Sequence, residues 1–224
     1  MPTVALVQHR LHERALMRIV ILGTGTMANA LGTAWARAGH EITIAGRSLT
    51  KARNLAAQLG GTATTVPEAI VDVDAVLLAI AWSGVPDILG ATHATTGTLT
   101  GTTLIDPTNA IDHGIGTHLL PPDTSAAQHI AHLAPGSHVV KAFHLYPADQ
   151  WTDPTRPPVT VPYCGDNPQS LTTTATLIRD TGSTPAPYGP LTRARQLEEA
   201  AGFIITLAFK GQNPRAAVPH IPTA

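Results

Sequence analysis

The chain has a single cysteine, Cys164, among 224 residues, which excludes an intramolecular disulfide framework and a thiolate-held metal cluster. A reducing, cytoplasmic setting is the default expectation. Charge is scarce as well: Asp, Glu, Lys and Arg make up 13% of the residues, and 14 basic against 15 acidic side chains leave a formal net charge of -1. Nucleic-acid binders need Lys and Arg clustered far in excess of acids, so no such partner is expected. No uninterrupted apolar run approaches the roughly 18 residues of a membrane span. The longest candidate, Ala200 to Phe209, is broken by Gly202 and Thr206, and no membrane partner is expected either. Residues 1–17 hold Arg10, His12, Glu13 and Arg14 in place of a hydrophobic stretch, which argues against a secretory signal. A frayed arm, a short packed helix, or a natural start at Met17 are the readings left.

What the chain does have is alternation. Arg18 to Gly23 (RIVILG) is a bounded apolar run, followed by glycines and a helical pattern from Met27 to Ala38. Glu41 to Ala45 reads as a second strand, Leu49 to Leu59 as a helix, and Ala75 to Ile80 as a continuous apolar strand buried on both faces. Val85 to Leu89 reads as helix, Thr103 to Asp106 as strand, Thr124 to Leu133 as helix and His138 to Phe143 as strand. A strand over Val159 to Cys164, a helix from Pro168 to Asp180 and a segment around Thr184 follow. Strands alternating with helices predict an α/β fold with a doubly wound parallel sheet. The last helix, Leu191 to Lys210, carries an apolar stripe at spacings of three and four. One domain over residues 18–210, between an arm (1–17) and a tail (211–224), is expected, and a homodimer through that stripe. Pro147 to Pro158 is a long insertion without a periodic pattern, a lid or an ordered surface excursion.

Gly23-Thr24-Gly25-Thr26-Met27-Ala28 spells G-x-G-x-x-A. Alone this is weak, but it directly follows a strand, opens a helix and precedes a second strand, the placement a Rossmann dinucleotide site requires. Gly23 would make the tight turn, Gly25 would admit the pyrophosphate, and Ala28 would allow close packing of helix on strand. The second strand ends Ala45-Gly46-Arg47-Ser48. An NAD site usually presents a carboxylate there, whereas Arg47, Ser48 and Lys51 offer donors for a 2′-phosphate, so NADP(H) is the expected cofactor.

The run from Arg18 through Lys51, A-I-A-W at Ala79 to Trp82, D-P-T-N at Asp106 to Asn109 and V-V-K-A-F at Val139 to Phe143 together resemble the NADPH:deazaflavin oxidoreductases. G-D-N-P at Gly165 to Pro168 and G-P-L-x-x-A-R-x-L-E at Gly189 to Glu198 are similar to the same family. The resemblance implies hydride transfer between NADPH and the deazaflavin coenzyme F420. It also implies that Thr24 and Thr26 sit in the phosphate loop, that Arg47, Ser48 and Lys51 take the 2′-phosphate, that Ile80, Ala81 and Trp82 pack near the nicotinamide, and that Asn109 lies beside the ring. Two positions depart from the pattern: His144 replaces the family's usual Asn after K-A-F, and Pro187-Tyr188 stands where an acid is usual. Both lie on the expected substrate side.

Reduction of a C=N or C=O bond needs a proton donor as well as a hydride. His144, at the end of a strand, is the best-placed candidate, with Tyr146 on the same side if the strand continues; the alternative is a hydrogen-bonded strand-end histidine without a chemical role. His129 and His132 lie one helical turn apart without a third ligand, so no metal is expected. Three readings therefore stand: a reductase with a deazaflavin co-substrate, an NADPH-dependent reductase of small imines, enones or carbonyls, and a non-catalytic NADP(H)-binding module.

Overall fold

The computed structural model describes residues 16–112, 115–153 and 155–219. The expected N-terminal arm lies outside them up to residue 15. In chain order the elements are β1 (Arg18–Leu22), α1 (Thr26–Arg37), β2 (Glu41–Ala45), α2 (Leu49–Leu59), β3 (Thr62–Ala63), α3 (Val66–Ala69), β4 (Ala75–Leu78) and α4 (Val85–Ala91). They continue with β5 (Thr103–Asp106), α5 (Ala126–Leu133), β6 (His138–Lys141), α6 (Asp149–Thr152), β7 (Thr160–Gly165), α7 (Pro168–Asp180), β8 (Thr184–Pro187) and α8 (Ala194–Phe209). The eight strands form one sheet in the order β3-β2-β1-β4-β5-β6-β7-β8, the doubly wound α/β architecture that the alternation predicts. Successive strand residues point to opposite faces, so Ile19, Ile21, Leu77 and Ile105 enter one core and Val20, Leu22, Val76, Leu78 and Leu104 the other. This two-sided burial is why β1 and β4 read as unbroken apolar runs.

Three expectations need correction. The sheet is not wholly parallel: β7 pairs antiparallel with β6 through Val140–Gly165 and Lys141–Cys164. Parallel strands need a crossover helix, and the connection from β6 to β7 contains just the single turn α6. Second, the insertion between Pro147 and Pro158 is not structureless. It holds α6, and Trp151 packs edge-on against Phe143 with ring centroids 5.6 Å apart. Third, β6 ends at Lys141, two residues early, because Phe143 adopts a left-handed backbone (φ 62°). Such a conformation costs a bulky residue on the order of 1–3 kcal/mol. Its ring is held between Trp35 of α1, at 5.9 Å, and Trp151.

The neighbouring strands β5 and β6 are tied to α8 by a buried charge cluster. Lys141 Nζ lies 2.8 Å from Asp106 Oδ2 and 2.8 Å from Glu198 Oε1, all three side chains fully buried, and also donates to the Thr108 carbonyl. Glu198, reaching in from α8, accepts from His118 Nε2 at 2.7 Å and from the Ala126 and Ala127 N–H groups at 2.8 and 3.2 Å. His118 Nδ1 accepts from Leu120 N, so its proton sits on Nε2 and the imidazole can serve as a neutral donor. Two carboxylates against one ammonium leave a negative excess, which the uncompensated N–H groups at the start of α5 offset. Burial would raise the Glu198 carboxyl, but Lys141 and the donated hydrogen bonds more than reverse this and hold it below the ordinary carboxylate range. Lys141 in turn is penalised by burial yet held up by Asp106 and Glu198.

The α8 stripe divides. Ala194, Leu197 and Ala201 are core, whereas Phe203 and Phe209 are 52% and 66% exposed. No helix among the described residues is long and apolar enough to cross a membrane.

Removing one partner of a buried ion pair typically costs about 3–5 kcal/mol. Glu198→Ala is therefore expected to lower the unfolding free energy by roughly that amount in urea titration. A loss under about 1 kcal/mol would show that the cluster does not hold α8 to the sheet.

Candidate cofactor cleft and acceptor side

The C-terminal edge of the sheet opens between β1 and β4, where an open α/β sheet changes winding direction and ligands bind. A cleft of about 400 Å³ lies there, lined by Gly23, Thr24, Gly25, Arg47, Ser48, Lys51, Ile80 and Ala81 among others. Gly23 has φ 135°, and a Cβ at this position would meet the Ala79 carbonyl oxygen at 2.1 Å. No other residue allows β1 and β4 to exit so close together. A Cβ on Gly25 would meet nothing within 4 Å, so this glycine faces open space where a phosphate can approach. Gly25 caps α1 without a side-chain hydrogen bond, and no acid occupies the first turn. The first N–H groups of α1 are thus free for an anion.

Ser48 caps α2, its Oγ accepting from Lys51 N at 3.4 Å, which leaves its O–H able to donate outward. Arg47 and Lys51 are exposed, and among the described residues neither has an ion-pair partner. These three donors stand at the end of β2 with no carboxylate beside them, and they fit a 2′-phosphate. Thr26 lines an adjoining groove with Asn29, Lys51 and Asn54. Ala28 is fully buried under the turn, and Met27 is packed against the core; neither lines the cleft. Trp82 also lies outside its lining, stacked edge-on against His129 at 5.6 Å. The opposite wall contributes Ser83, Gly84, Asp87 and Ile88, which the sequence reading missed. They belong to α4 and its approach, whose G-V-P-D sequence carries no motif.

The three residues expected beside the acceptor do not line this cleft, and they point apart. Asn109 donates from Nδ2 to the His144 carbonyl at 2.8 Å. His144 is 5% exposed, and neither ring nitrogen has a well-formed hydrogen bond. Burial and the neighbouring Lys141 charge push its pKa down to about 3, only partly offset by the Leu197 backbone. Tyr146 lies on the other side of the Phe143 kink, edge-on to Trp151 at 6.3 Å, its hydroxyl donating to the Thr160 carbonyl at 3.1 Å. Burial raises that phenol, against the pull of Arg215. The expectation that His144 and Tyr146 share a side fails because the strand does not continue past Lys141. Cys164 is buried, its thiol pushed up to about 12 by burial, as suits a packing residue. Among the described residues no group of three or more His, Cys, Asp or Glu could hold a metal ion.

A histidine kept neutral in the fold but free to protonate when unfolded makes stability pH-dependent. The unfolded imidazole takes its proton below about pH 6.5, while the folded one waits until about 3. Stability should therefore fall as pH drops through this window, by roughly 1 kcal/mol per unit. His144→Phe should flatten the slope between about pH 6 and 5 in urea midpoints; an unchanged slope would mean that the imidazole reaches water.

The chain resembles a structure from Arthrobacter sp. FB24 described as a candidate F420-dependent NADP reductase, with 23% identity, 88% of this chain and 96% of that one covered, and a TM-score of 0.75. A hypothetical protein from Sinorhizobium meliloti matches at 23% identity, with coverage of 91% and 95% and a TM-score of 0.67. A reductive aminase from Aspergillus terreus, solved with NADPH4, cyclohexanone and allyl amine, matches at 19% identity, covering 87% of this chain and 63% of that one, with a TM-score of 0.63. These likenesses concern the fold. Residues 18–110, which contain the phosphate loop, the β2 terminus and both walls of the cleft, match the model of the coenzyme F420-dependent NADP oxidoreductase family.

Proposed function

We propose that the chain transfers a hydride between NADP(H) and a deazaflavin coenzyme of the F420 type, with the exits of β5 and β6 forming the acceptor side. The observation that carries this reading is the state of the polar side chains there. Asn109 Nδ2 and the Tyr146 hydroxyl already donate to backbone carbonyls, and His144 is neutral and enclosed. Among the described residues at these two exits no poised acid stands ready for a developing amine or alkoxide, which a small imine or carbonyl would need. An extended ring that takes hydride at carbon and its accompanying proton from water needs alignment instead. The first N–H groups of α1 and the Arg47, Ser48 and Lys51 donors hold the dinucleotide by its phosphates and so fix the nicotinamide against the acceptor. NADPH, the oxidised acceptor and one proton give NADP and the reduced acceptor.

The test is acceptor-dependent loss of reduced nicotinamide absorbance, with coenzyme F420 in one series and a cyclic imine or ketone in the other. Turnover with the deazaflavin is expected. Turnover with the small substrate alone would overturn the acceptor assignment, and tight NADPH binding with no turnover would leave a non-catalytic binding module. In the same assay Arg47→Ala should weaken NADPH roughly ten- to a hundredfold through a lost charge-assisted contact, while NADH changes little. Equal losses for both nucleotides would remove Arg47 from the 2′-phosphate. A second copy of the chain is the proposed cover for the exposed Phe203 face of α8; a monomer mass by light scattering at micromolar concentration would exclude it.

A further inference from the structure

The cleft that takes the phosphates contains one group of the wrong sign. Asp87 lines it from α4 and is the one carboxylate in its lining. It is exposed and has no hydrogen-bond or ion-pair partner among the described residues. Its place in the first turn of α4 would satisfy the helix dipole, but an acid serves that purpose equally well when it points to open water. Here it faces a cavity whose other wall carries Arg47, Ser48 and Lys51 and whose floor is the Gly23–Gly25 phosphate turn. An unpaired carboxylate repels a ligand bearing three phosphates unless it meets a hydrogen-bond donor.

The inference rests on the dinucleotide reading above. With the 2′-phosphate at the end of β2 and the pyrophosphate at α1, the adenosine ribose is fixed against the α2 side, and the base must extend across to the α4 wall. Ile88, next to Asp87 on α4, lines that wall and offers an apolar surface to a flat ring. The ring nitrogens N1, N3 and N7 of adenine are acceptors; its exocyclic 6-amino group is its one hydrogen-bond donor once N9 is glycosylated. We infer that Asp87 accepts a hydrogen bond from the adenine 6-amino group and is the residue by which this cleft selects adenine over a 6-oxo purine. A 6-oxo purine would set a carbonyl oxygen against the carboxylate in the same place, and its N1–H donor, one ring atom away, would meet the acid only after the base shifted out of this pose.

The experiment measures binding of NADP and of its hypoxanthine analogue to the full chain by calorimetry, for wild type, Asp87→Ala and Asp87→Asn. Wild type should prefer NADP by roughly tenfold, the size of one charge-assisted hydrogen bond. Asp87→Ala should bring the two affinities within about twofold of each other. Asp87→Asn, whose amide can accept from the amino group or donate to the carbonyl, should also lose most of the preference while keeping NADP binding. Equal wild-type affinities, or a preference that survives both substitutions, overturns the assignment, and a lowered melting temperature with an unchanged preference reduces Asp87 to a helix-end acid. If alanine weakens both nucleotides equally, the carboxylate contacts the ribose instead, which also overturns it. If wild type binds neither nucleotide, the dinucleotide reading falls, and this inference with it.

Discussion

The ammonium of Lys141 is the constraint on which the acceptor side depends. Its three hydrogen bonds go to Asp106 at the end of β5, to Thr108 two residues on and to Glu198 of α8, so that β6, the exit of β5 and α8 meet at one atom. A single buried charge in hydrocarbon would be too costly to keep; two carboxylates, a neutral imidazole and the start of α5 together make the site tolerable. Apolar residues of similar volume could match its stability. The arrangement gives something a greasy plug would not, since directional bonds fix where the Asp106 to Asn109 turn stands relative to β6.

From that fixed turn the geometry of the sheet edge follows. Asp106 Oδ1 accepts from Thr108 N and Oγ1, so the exit of β5 is tied to the same carboxylate that pairs with Lys141. Asn109 then bonds to the His144 carbonyl, joining the exits of β5 and β6. Three residues past Lys141 the kink at Phe143 has already turned the chain, placing one aromatic ring under α1 and the imidazole toward α8. The cofactor cleft is built by quite different means, a backbone approach at Gly23 and an uncapped helix start, and needs no buried charge. The two halves of the proposed site are thus stabilised independently.

This difference explains how much was legible in the sequence. The phosphate loop and the end of β2 are local: Gly23, Gly25, Arg47, Ser48 and Lys51 do what their spacing along one βαβ unit requires, and the structure puts all of them on one cleft. Trp82 and Met27 lie in the right segments but point elsewhere, because helical and turn phase are set by packing that no short pattern encodes. The acceptor side is a tertiary construction. Lys141 is polar in the middle of an apolar run, and its meaning appears once Glu198, 57 residues later in the sequence, is folded against it. The contact of Trp151 with Phe143 is likewise tertiary, made between residues whose intervening sequence looks like loop.

Selectivity for the hydride acceptor is then a matter of what the edge withholds. A proton donor for a small substrate must hold a proton it can release and must reach the substrate, and both conditions fail for an imidazolium at His144: burial first, then the Lys141 charge, act against it, and the ring is enclosed. Moving Lys141 would dismantle the pairing with Glu198 and would remove just the smaller of the two effects, since burial does most to keep the imidazole neutral. On the proposed reading the acceptor is one whose reduction depends on ring alignment, and imine chemistry would call for an acid brought in from another element, with the existing histidine left where it is.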